Sequence, residues 1–245
     1  ELAEGITSQI IYKHAEGVTI EARVGGRMGD MYGNGFQRSP DGKVIYTAAG
    51  LPAPLDPVVQ KRGNAFADWK AGILNELMIK KRIRVSVLVD GQKGGSMYSQ
   101  TNVKNATLGK TKNTLAGREE GIIGDGVVYN ATTKTYEPNT TRVAASSYYN
   151  NYYTIANAET NIFDASFIKI REVRFEYSIP PKLLSRISIK QASIAVYGRE
   201  LFNFTDFPAF DPEGGNLNNG TITPGVELTQ FPSTRNMGVN LTFKF

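Results

Sequence analysis

Residue types that serve many enzyme mechanisms are missing or scarce in this sequence. Its 245 residues include no cysteine and one histidine, His14. Without cysteine the chain has no disulfide framework and no thiolate nucleophile. Histidine-based metal centres and Ser-His-Asp triads need imidazole groups, and a single histidine is more simply explained as a surface side chain. These absences argue against thiolate or imidazole chemistry.

The sequence also lacks the signals of helical membrane proteins and of nucleic-acid-binding proteins. No run of 18 or more apolar residues occurs, so no transmembrane helix is predicted. Residues 1–9 have neither a basic start nor an apolar core, so an exported protein of this kind would carry its signal peptide elsewhere. The net charge is +5 and the pI is about 9.2. Lysine and arginine are nevertheless dispersed, which gives little support to nucleic-acid binding.

The last twelve residues, 234–245, carry the clearest structural pattern. Their apolar side chains alternate with small or polar ones, and the apolar members are Met237, Val239, Leu241, Phe243 and Phe245. A period of two predicts a β-strand with one apolar and one polar face. The length suits a tilted membrane crossing of roughly 9–11 residues. The final strand of a soluble β-sandwich would show the same pattern, so this strand alone leaves both architectures open.

Four further segments read as strands, and local signals mark where they turn or end. The predicted ranges are about 67–80, 82–90, 166–178 and 190–204. A tight basic turn at 80–82 joins the first two, and Trp69 lies at the far end, the level of a membrane interface. The apolar parity switches between Ile170 and Val173, which predicts a β-bulge. Pro180 ends the third strand because proline cannot donate to a ladder.

The connections between these strands alternate in length. Two are short, at 80–82 and 179–190, whereas 1–66, 91–165 and 205–233 are long and polar. Short strands are expected within the first long region at Val18–Val24 and Lys43–Thr47. Successive connections of an antiparallel sheet lie at opposite ends, and outer-membrane barrels have short periplasmic turns and long extracellular loops. The sorting therefore favours a barrel over a sandwich and predicts a periplasmic C-terminus.

Two groups of polar residues in the long loops are candidates for ligand contacts. The cluster of Tyr148, Tyr149, Tyr152 and Tyr153 is interleaved with asparagine and offers rings that stack on sugars or peptide side chains. The alternative is that these tyrosines pack their own loop. Asp206, Asp211 and Glu213 allow a glycosidase carboxylate pair, a calcium site or ordinary turn acids. An enzyme is the weakest of the function classes, and no cofactor is predicted.

Several motifs, in order and spacing, resemble the C-terminal part of the SusC/RagA family of TonB-dependent outer-membrane transporters. The matching stretches are 68–72 (DWKAG), 90–95 (DGQKGG), 166–173 (SFIKIREV), 177–180 (YSIP), 198–202 (GRELF), 211–213 (DPE) and 231–235 (FPSTR). Two positions depart from the family pattern. Residues 63–67 lack the proline usual before Asp-Trp, and Glu200 stands where asparagine is usual. Both departures concern local loop structure.

The resemblance implies an all-β fold, in which this chain supplies the closing strands and long extracellular loops of a 22-stranded antiparallel transmembrane β-barrel. The remaining N-terminal barrel and plug would belong to the same transporter, either nicked from this piece or held on a separate chain. It also implies TonB-dependent import of glycans or peptides across the cell outer membrane, with a SusD-like surface lipoprotein as lid and the TonB complex as energy source. The competing hypothesis is a soluble or surface-attached β-rich binding or adhesion protein.

Within this interpretation two sets of residues acquire roles. The polar faces of the strands would line the lumen, and the inward candidates are Arg84, Ser86, Arg199, Asn236 and Asn240. The terminal strand fits a polar-x-Gly-x-x-hydrophobic-x-aromatic pattern read by the barrel-assembly machinery. Its members are Asn236, Gly238, Leu241 and Phe243, with Phe245 as an additional terminal aromatic.

Overall fold

A computed structural model describes residues 6–14, 17–185, 188–213, 216–218 and 221–245. The chain divides into two compact units. The first, here the loop unit, comprises Glu1–Phe66, Gly95–Asp164 and Glu213–Gln230, and the second, the sheet unit, comprises Ala67–Gly94, Ala165–Pro212 and Phe231–Phe245. Each unit is therefore assembled from segments distant in sequence.

Most regular structure in the described residues is β-strand, as the all-β prediction requires. The strands are β1 (Ser8–His14), β2 (Val18–Arg23), β3 (Asp30–Gly33), β4 (Ile45–Tyr46), β5 (Gln60–Asn64), β6 (Trp69–Ile79), β7 (Ile83–Lys93), β8 (Ser96–Ser99), β9 (Ile122–Ile123), β10 (Val127–Asn130), β11 (Thr135–Pro138), β12 (Arg142–Val143), β13 (Ile162–Asp164), β14 (Phe167–Ser178), β15 (Gln191–Phe204), β16 (Asn216–Asn218), β17 (Thr221–Thr223), β18 (Val226–Glu227) and β19 (Asn236–Lys244). The helices are α1 (Gln100–Thr107), α2 (Ala145–Tyr152), α3 (Ala158–Asn161) and α4 (Pro181–Leu184), with a 3-10 turn at Lys112–Thr114.

The sheet unit is a five-stranded antiparallel meander in the order β19-β15-β14-β7-β6. Its strands are the long ones, with lengths from 9 residues in β19 to 14 in β15. Each of these five long strands pairs with the long strand that precedes or follows it along the chain. The turn between β6 and β7 and the connection between β14 and β15 leave one end of the sheet, and the longer connections leave the other.

The register of these ladders sorts the side chains onto two faces. Val85 lies opposite Phe175, Phe175 opposite Val196, and Val196 opposite Val239, so one apolar row crosses four strands. The intervening positions are mostly polar. Many residues of the apolar face are exposed, including Ile73, Leu77, Ile168, Phe175, Ile194, Val196, Phe202, Phe204, Met237, Val239, Leu241 and Phe243. Asn75, opposite Val87, interrupts this face on β6.

A β-bulge lies where the switch of apolar parity predicts it. The register of β14 shifts between Ile170 and Glu172 against both of its neighbours, β7 and β15. Arg171 is the unpaired residue, and on β15 the facing Glu200 has a φ of 51°. Bulges redirect side chains and increase local twist. Here the bulge preserves the apolar face, since Ile170 and Val173 both remain on it despite their odd spacing.

The loop unit holds a conventional buried core. Its four-stranded sheet has the order β1-β2-β3-β5, and Val18, Ile20 and Met31 of this sheet form one buried cluster with Tyr98 and Val226. Smaller sheets combine remote strands, such as β13-β8-β18. The short strands expected at Val18–Val24 and Lys43–Thr47 correspond to β2 and β4, and the region 91–165, expected from sequence as a long loop, contains short strands and helices.

Candidate functional site

The residues predicted from the sequence to line a lumen lie on the polar face of the sheet unit. Arg84 lies opposite Glu176, Ser86 opposite Arg174, and Arg199 opposite both Glu172 and Asn236. Asn240 lies opposite Ala195 on the same face. All five inward candidates therefore share one face of one sheet, the face opposite the exposed apolar row.

Ion pairs run along this polar face. Arg171, at the bulge, donates to both oxygens of Asp90 at 2.9 and 3.0 Å and to both oxygens of Glu200 at 3.1 Å. Arg199 donates to Glu172 at 2.7 Å, and Arg174 donates to Glu176 at 3.0 Å. Two-oxygen contacts of this kind fix the planar guanidinium geometrically. The bulge thus lets a single arginine bridge β7 and β15.

Lys169 is the most deeply buried cation of the sheet unit, with 1% of its surface exposed. Its ammonium lies 2.7 Å from both oxygens of Asp211 and 4.7 Å from the ring centroid of Phe167. Removing one partner of a buried pair leaves an uncompensated charge, so the contact is costly to break. It ties residues that follow β15 to β14.

The contact also defines what Asp211 does in this structure. Its carboxylate is held by Lys169, whereas Asp206 and Glu213 are exposed. In the described part of the chain, no group of three or more His, Asp or Glu side chains is arranged to hold a metal ion. The geometry thus assigns Asp211 a tethering contact, and a carboxylate pair for glycoside hydrolysis gains no support from it.

The four candidate tyrosines lie on and just after α2 in the loop unit. Their rings contact one another, with centroid separations of 5.4 Å for Tyr148–Tyr149, 5.5 Å for Tyr148–Tyr152 and 4.9 Å for Tyr152–Tyr153. Tyr149 is buried and the other three are half-buried. Burial raises the pKa of each phenol, so all four hydroxyls are neutral at physiological pH.

Each ring of the cluster also contacts the rest of the loop unit. The Tyr148 hydroxyl lies 3.1 Å from that of Tyr46, and the Tyr149 hydroxyl donates to the carbonyl of Ala116 at 3.1 Å. Asn113 donates to the Tyr153 hydroxyl at 2.7 Å. Phe36 packs on Tyr152 with centroids 4.9 Å apart. These contacts give the cluster a packing role, and the half-buried rings retain partly exposed surface.

The terminal strand β19 pairs along its length with β15 and presents Leu241 and Phe243 on the apolar face. Gly238 lies opposite Tyr197, and a Cβ atom at Gly238 would lie 2.6 Å from the tyrosine hydroxyl oxygen. A side chain there would collide with the ring. The glycine of the proposed assembly pattern therefore has a local packing reason as well.

The loop unit contains a buried carboxylate, that of Glu227, which was not identified from the sequence. The carboxylate of Glu227, 2% exposed, accepts hydrogen bonds from Ser99 Oγ at 2.7 Å, from Thr101 Oγ1 at 2.6 Å and from the backbone N–H of Thr101 and Gln230 at 3.1 Å. It thus satisfies donors in the first turn of α1, where negative charge is favoured. Two of its partners, Ser99 and Thr101, lie 128 and 126 positions away, a distance over which no local pattern is informative.

His14 departs from the expectation of a surface side chain. Its ring is half-buried, 5.4 Å from the ring of Tyr98, and Nε2 is buried without a hydrogen-bond partner among the described residues. Burial lowers the pKa of this imidazole, because the charged form loses hydration.

These features define the architecture of the chain as an antiparallel sheet of long strands. One face of the sheet is apolar and exposed, and the other is polar and carries ion pairs. Large ordered insertions separate the strands in sequence. Among the described residues, no helix combines the length and the apolar character needed to cross a membrane. No protein-family model matches the sequence.

Individual proteins do match. TonB-dependent receptor P3 of Formosa agariphila is 23% identical over 220 residues, covering 88% of this chain and 18% of that protein. TonB-dependent receptor P26 of the same organism is 32% identical over 85 residues, which is 33% of this chain and 9% of that protein. The chain therefore spans about a fifth of the length of the first of these curated relatives.

Solved structures share the fold over the whole chain. The RagAB peptide importer in the closed-closed state has a TM-score of 0.63 at 13% identity, covering 100% of this chain and 25% of that one. Another structure of the RagAB peptide transporter gives 0.60 at 14% identity with the same coverage. These comparisons confirm the resemblance to TonB-dependent transporters of the SusC/RagA type.

Proposed function

We propose that this chain forms the closing strands of a 22-stranded barrel that imports oligomeric nutrients across the cell outer membrane in a TonB-dependent way. The remaining N-terminal barrel strands of the same transporter would pair with the edges of β6 and β19, and its plug would lie inside the barrel. A closed barrel is the form in which every strand edge finds a partner in lipid. The cargo class is a glycan or a peptide, and no bond is made or broken during transport.

The two faces of the sheet unit carry this proposal. Lipid demands an apolar outer surface, and the apolar row from Val85 through Val239 is unbroken across four strands, with Phe175, Val196 and Val239 exposed. A hydrated lumen accepts charge, and the opposite face holds Arg171, Arg174 and Arg199 in ion pairs. Trp69 and the stacked rings of Phe202 and Phe204 lie at the long-connection end, as interfacial aromatics do.

The connections support an orientation as well. With short turns in the periplasm, the connections of the opposite end, which include 95–164, face the outside, where a SusD-like lipoprotein would close over the cargo. An epitope inserted within 100–160 should then be reached by antibody on intact cells, and one within 181–184 should be reached only after permeabilisation. Labelling of the short connection alone would reverse this orientation.

We further propose that the cluster of four tyrosines in the loop unit contacts cargo or lid. Aromatic rings offer contact area with few rotatable bonds to freeze. Changing Tyr148, Tyr149, Tyr152 and Tyr153 to Ala should reduce uptake or lid co-purification without lowering barrel levels. Tyr129 and Tyr136, an exposed pair with centroids 5.2 Å apart, provide the matched Ala control. Wild-type uptake and normal lid association in the cluster variant would leave the tyrosines a packing role alone.

TonB-dependent uptake tests the proposed function itself. Cells carrying the complete transporter should accumulate a labelled mixture of short peptides or oligosaccharides, and should lose this uptake when TonB is deleted or the proton gradient is collapsed. Membrane fractionation decides the alternative, a soluble or surface-attached binding protein. Release of the protein without detergent would favour that alternative, whereas retention as a heat-modifiable species supports the barrel.

A further inference from the structure

Cations crowd the short-turn end of the sheet unit. Six of them surround one cavity of about 660 Å³ and are here called the basic rim: Lys80, Lys81, Arg82, Arg84, Lys190 and Lys244. The register places Arg84 opposite Glu176 and Lys244 opposite Gln191, both on the polar face. The cavity also contacts Ser193 and Thr242 of that face. The basic rim therefore belongs to the polar side of the sheet.

Among the described residues, the three turn cations of the basic rim are not ion-paired as the cations elsewhere on this face are, whereas Arg84 lies opposite Glu176 and Lys190 donates to the carbonyl oxygen of Phe245 at 3.1 Å. Lys169, Arg171, Arg174 and Arg199 each meet a carboxylate at 3.1 Å or less. Within the described ranges, the turn residues Lys80, Lys81 and Arg82 form no ion pair. The carboxylate that lines the cavity, Glu176, already accepts a hydrogen bond from Arg174. Excess positive charge at this end would attract an anion.

The backbone of the turn adds a second observation. Lys80 and Lys81 have φ angles of 49° and 57°, and the N–H of Arg82 donates to the carbonyl of Ile79 at 3.0 Å. These are features of a type I′ turn, whose two central positions favour Asn-Gly. Lysine at both positions makes the turn less stable, because the left-handed backbone conformation is costly for a residue with a Cβ atom. The chain thus keeps two cations where uncharged residues would form the turn more readily, which points to a use for their charge.

We propose that the basic rim binds the anionic groups, carboxylate, sulfate or phosphate, of the oligomer that the transporter imports. This inference rests on the proposed function, because the polar face must line the transport path. Long, solvated lysine and arginine side chains around a hydrated cavity bind anions loosely and in a salt-dependent way. Such binding suits the end of the path where cargo is released. It makes an anionic oligomer, whether an acidic peptide or an acidic glycan, the substrate class.

Direct binding to the complete transporter, purified with its partner in a non-ionic detergent, tests the proposal. The probes are hexaglutamate and trigalacturonate, with a neutral Gly-Ser hexapeptide and maltotriose as comparators. Lys80→Asn with Lys81→Gly removes two charges while supplying the residues that the turn prefers, so folding should be retained. Arg84→Gln with Lys244→Gln removes two others. Lys182→Gln is the matched control, since Lys182 lies in α4 at the same end but does not line the cavity.

The expected result is a loss of at least about tenfold in affinity for an anionic probe in each double variant, equivalent to about 1.4 kcal/mol. Lys182→Gln should change it less than about twofold, and raising the salt concentration should weaken wild-type binding. A response to hexaglutamate alone identifies acidic peptides as cargo, and a response to trigalacturonate alone identifies acidic glycans.

Three outcomes would overturn the proposal. Wild-type transporter could bind neither anionic probe, or the double variants could bind both as tightly as wild type. The double variants could also retain their probe affinity while losing co-purifying anionic phospholipid, which would assign the basic rim to lipid headgroups. Heat-modifiable mobility of each variant reports folding separately. Failure of the transport proposal would appear differently, as absent TonB-dependent uptake of every oligomer by wild-type cells.

Discussion

The two units place their apolar side chains in opposite ways. In the loop unit Val18, Met31, Tyr98 and Val226 are buried against one another. In the sheet unit Leu77, Val196, Met237 and Leu241 remain exposed on one face, although the hydrogen-bonded ladders are long and regular. The loop unit thus gains stability by burying its own apolar surface, whereas the exposed apolar face of the sheet unit would be stabilised by contact with an apolar environment. Changes of the same chemical kind should therefore have different consequences in the two units.

The largest effect is expected from the terminal aromatics of the sheet unit. Phe243→Ser with Phe245→Ser removes the Phe243 ring from the apolar face and the exposed Phe245 ring that follows β19, each worth about 1.5–3 kcal/mol when transferred out of water. The same change disrupts the proposed assembly pattern, which includes Asn236, Gly238 and Leu241. Outer-membrane levels of heat-modifiable transporter should fall sharply. Unchanged levels would show that the two terminal aromatics carry no assembly information.

A buried change in the loop unit should leave assembly intact. Met31→Ala empties a fully buried site and should destabilise this unit by about 2–5 kcal/mol. Hydrogen exchange should accelerate in β2 and β3, while the heat-modifiable form persists at normal levels. Met28→Ala, at an exposed position three residues earlier, is the control. Equal exchange in the two variants would contradict a core at Met31.

Adjacent residues of β19 allow the two faces to be compared directly. Val239→Arg places a charge on the apolar face and should cost about 2–4 kcal/mol if this face meets the middle of the bilayer. Asn240→Arg places the same side chain on the polar face, opposite Ala195, and should be tolerated. Thermal unfolding in detergent and membrane levels measure both. Similar losses for the two variants would refute the assignment of faces.

A smaller effect is expected at Gly238. Alanine there would bring a methyl group 2.6 Å from the Tyr197 hydroxyl oxygen, and relieving the collision should cost about 1–3 kcal/mol. Combining Gly238→Ala with Tyr197→Ala should recover part of the loss if the ring is its cause. Thermal unfolding of the single and double variants supplies the measurement. If the stability losses of the two single variants add exactly in the double variant, the Tyr197 ring is not the cause of the loss at Gly238.

The smallest predicted effect is a pH dependence confined to the loop unit. Because burial lowers the pKa of His14, the unfolded chain binds a proton more readily than the folded unit. Stability should therefore be complete above about pH 6.5 and fall as the pH drops toward the folded pKa. Hydrogen exchange of β1 and β2, corrected for its intrinsic pH dependence, should show this slope. His14→Gln should remove it, and an unchanged slope would exclude His14 as its source.

The contrast between the units also explains which structural elements can be predicted from the sequence. In the sheet unit the period of two is local, so the long strands are visible from alternation, as at Met237, Val239 and Leu241. The bulge is visible for the same reason, because Ile170 and Val173 fall on opposite parities. The observed β6, β7 and β19 span Trp69–Ile79, Ile83–Lys93 and Asn236–Lys244, where 67–80, 82–90 and 234–245 were expected.

The loop unit depends on contacts that no short window contains. Its strands are as short as two residues, and β4 pairs in parallel with β10 although more than 80 residues separate them. Most of the tyrosine cluster lies on α2, whose eight residues are too few for an apolar spacing to distinguish a helix from a loop. Glu227 finds its partners at Ser99 and Thr101 through tertiary folding. Composition marks these residues as a polar insertion, and the arrangement arises from packing over long sequence distances.

The bulge at Arg171 also determines where β14 can change in length. Removing Arg171 would leave Ile170 followed by Glu172, and the ladder with β7 already pairs these two residues with the consecutive Val89 and Leu88. A deletion at that single position would therefore keep every other side chain of β14 on its present face. A one-residue insertion or deletion at any other position in the strand would turn over all side chains on one side of the change, exchanging residues between the apolar and the polar face. The length variation that β14 can accommodate during evolution is thus concentrated at one residue, and its loss would remove the ion pairs with Asp90 and Glu200.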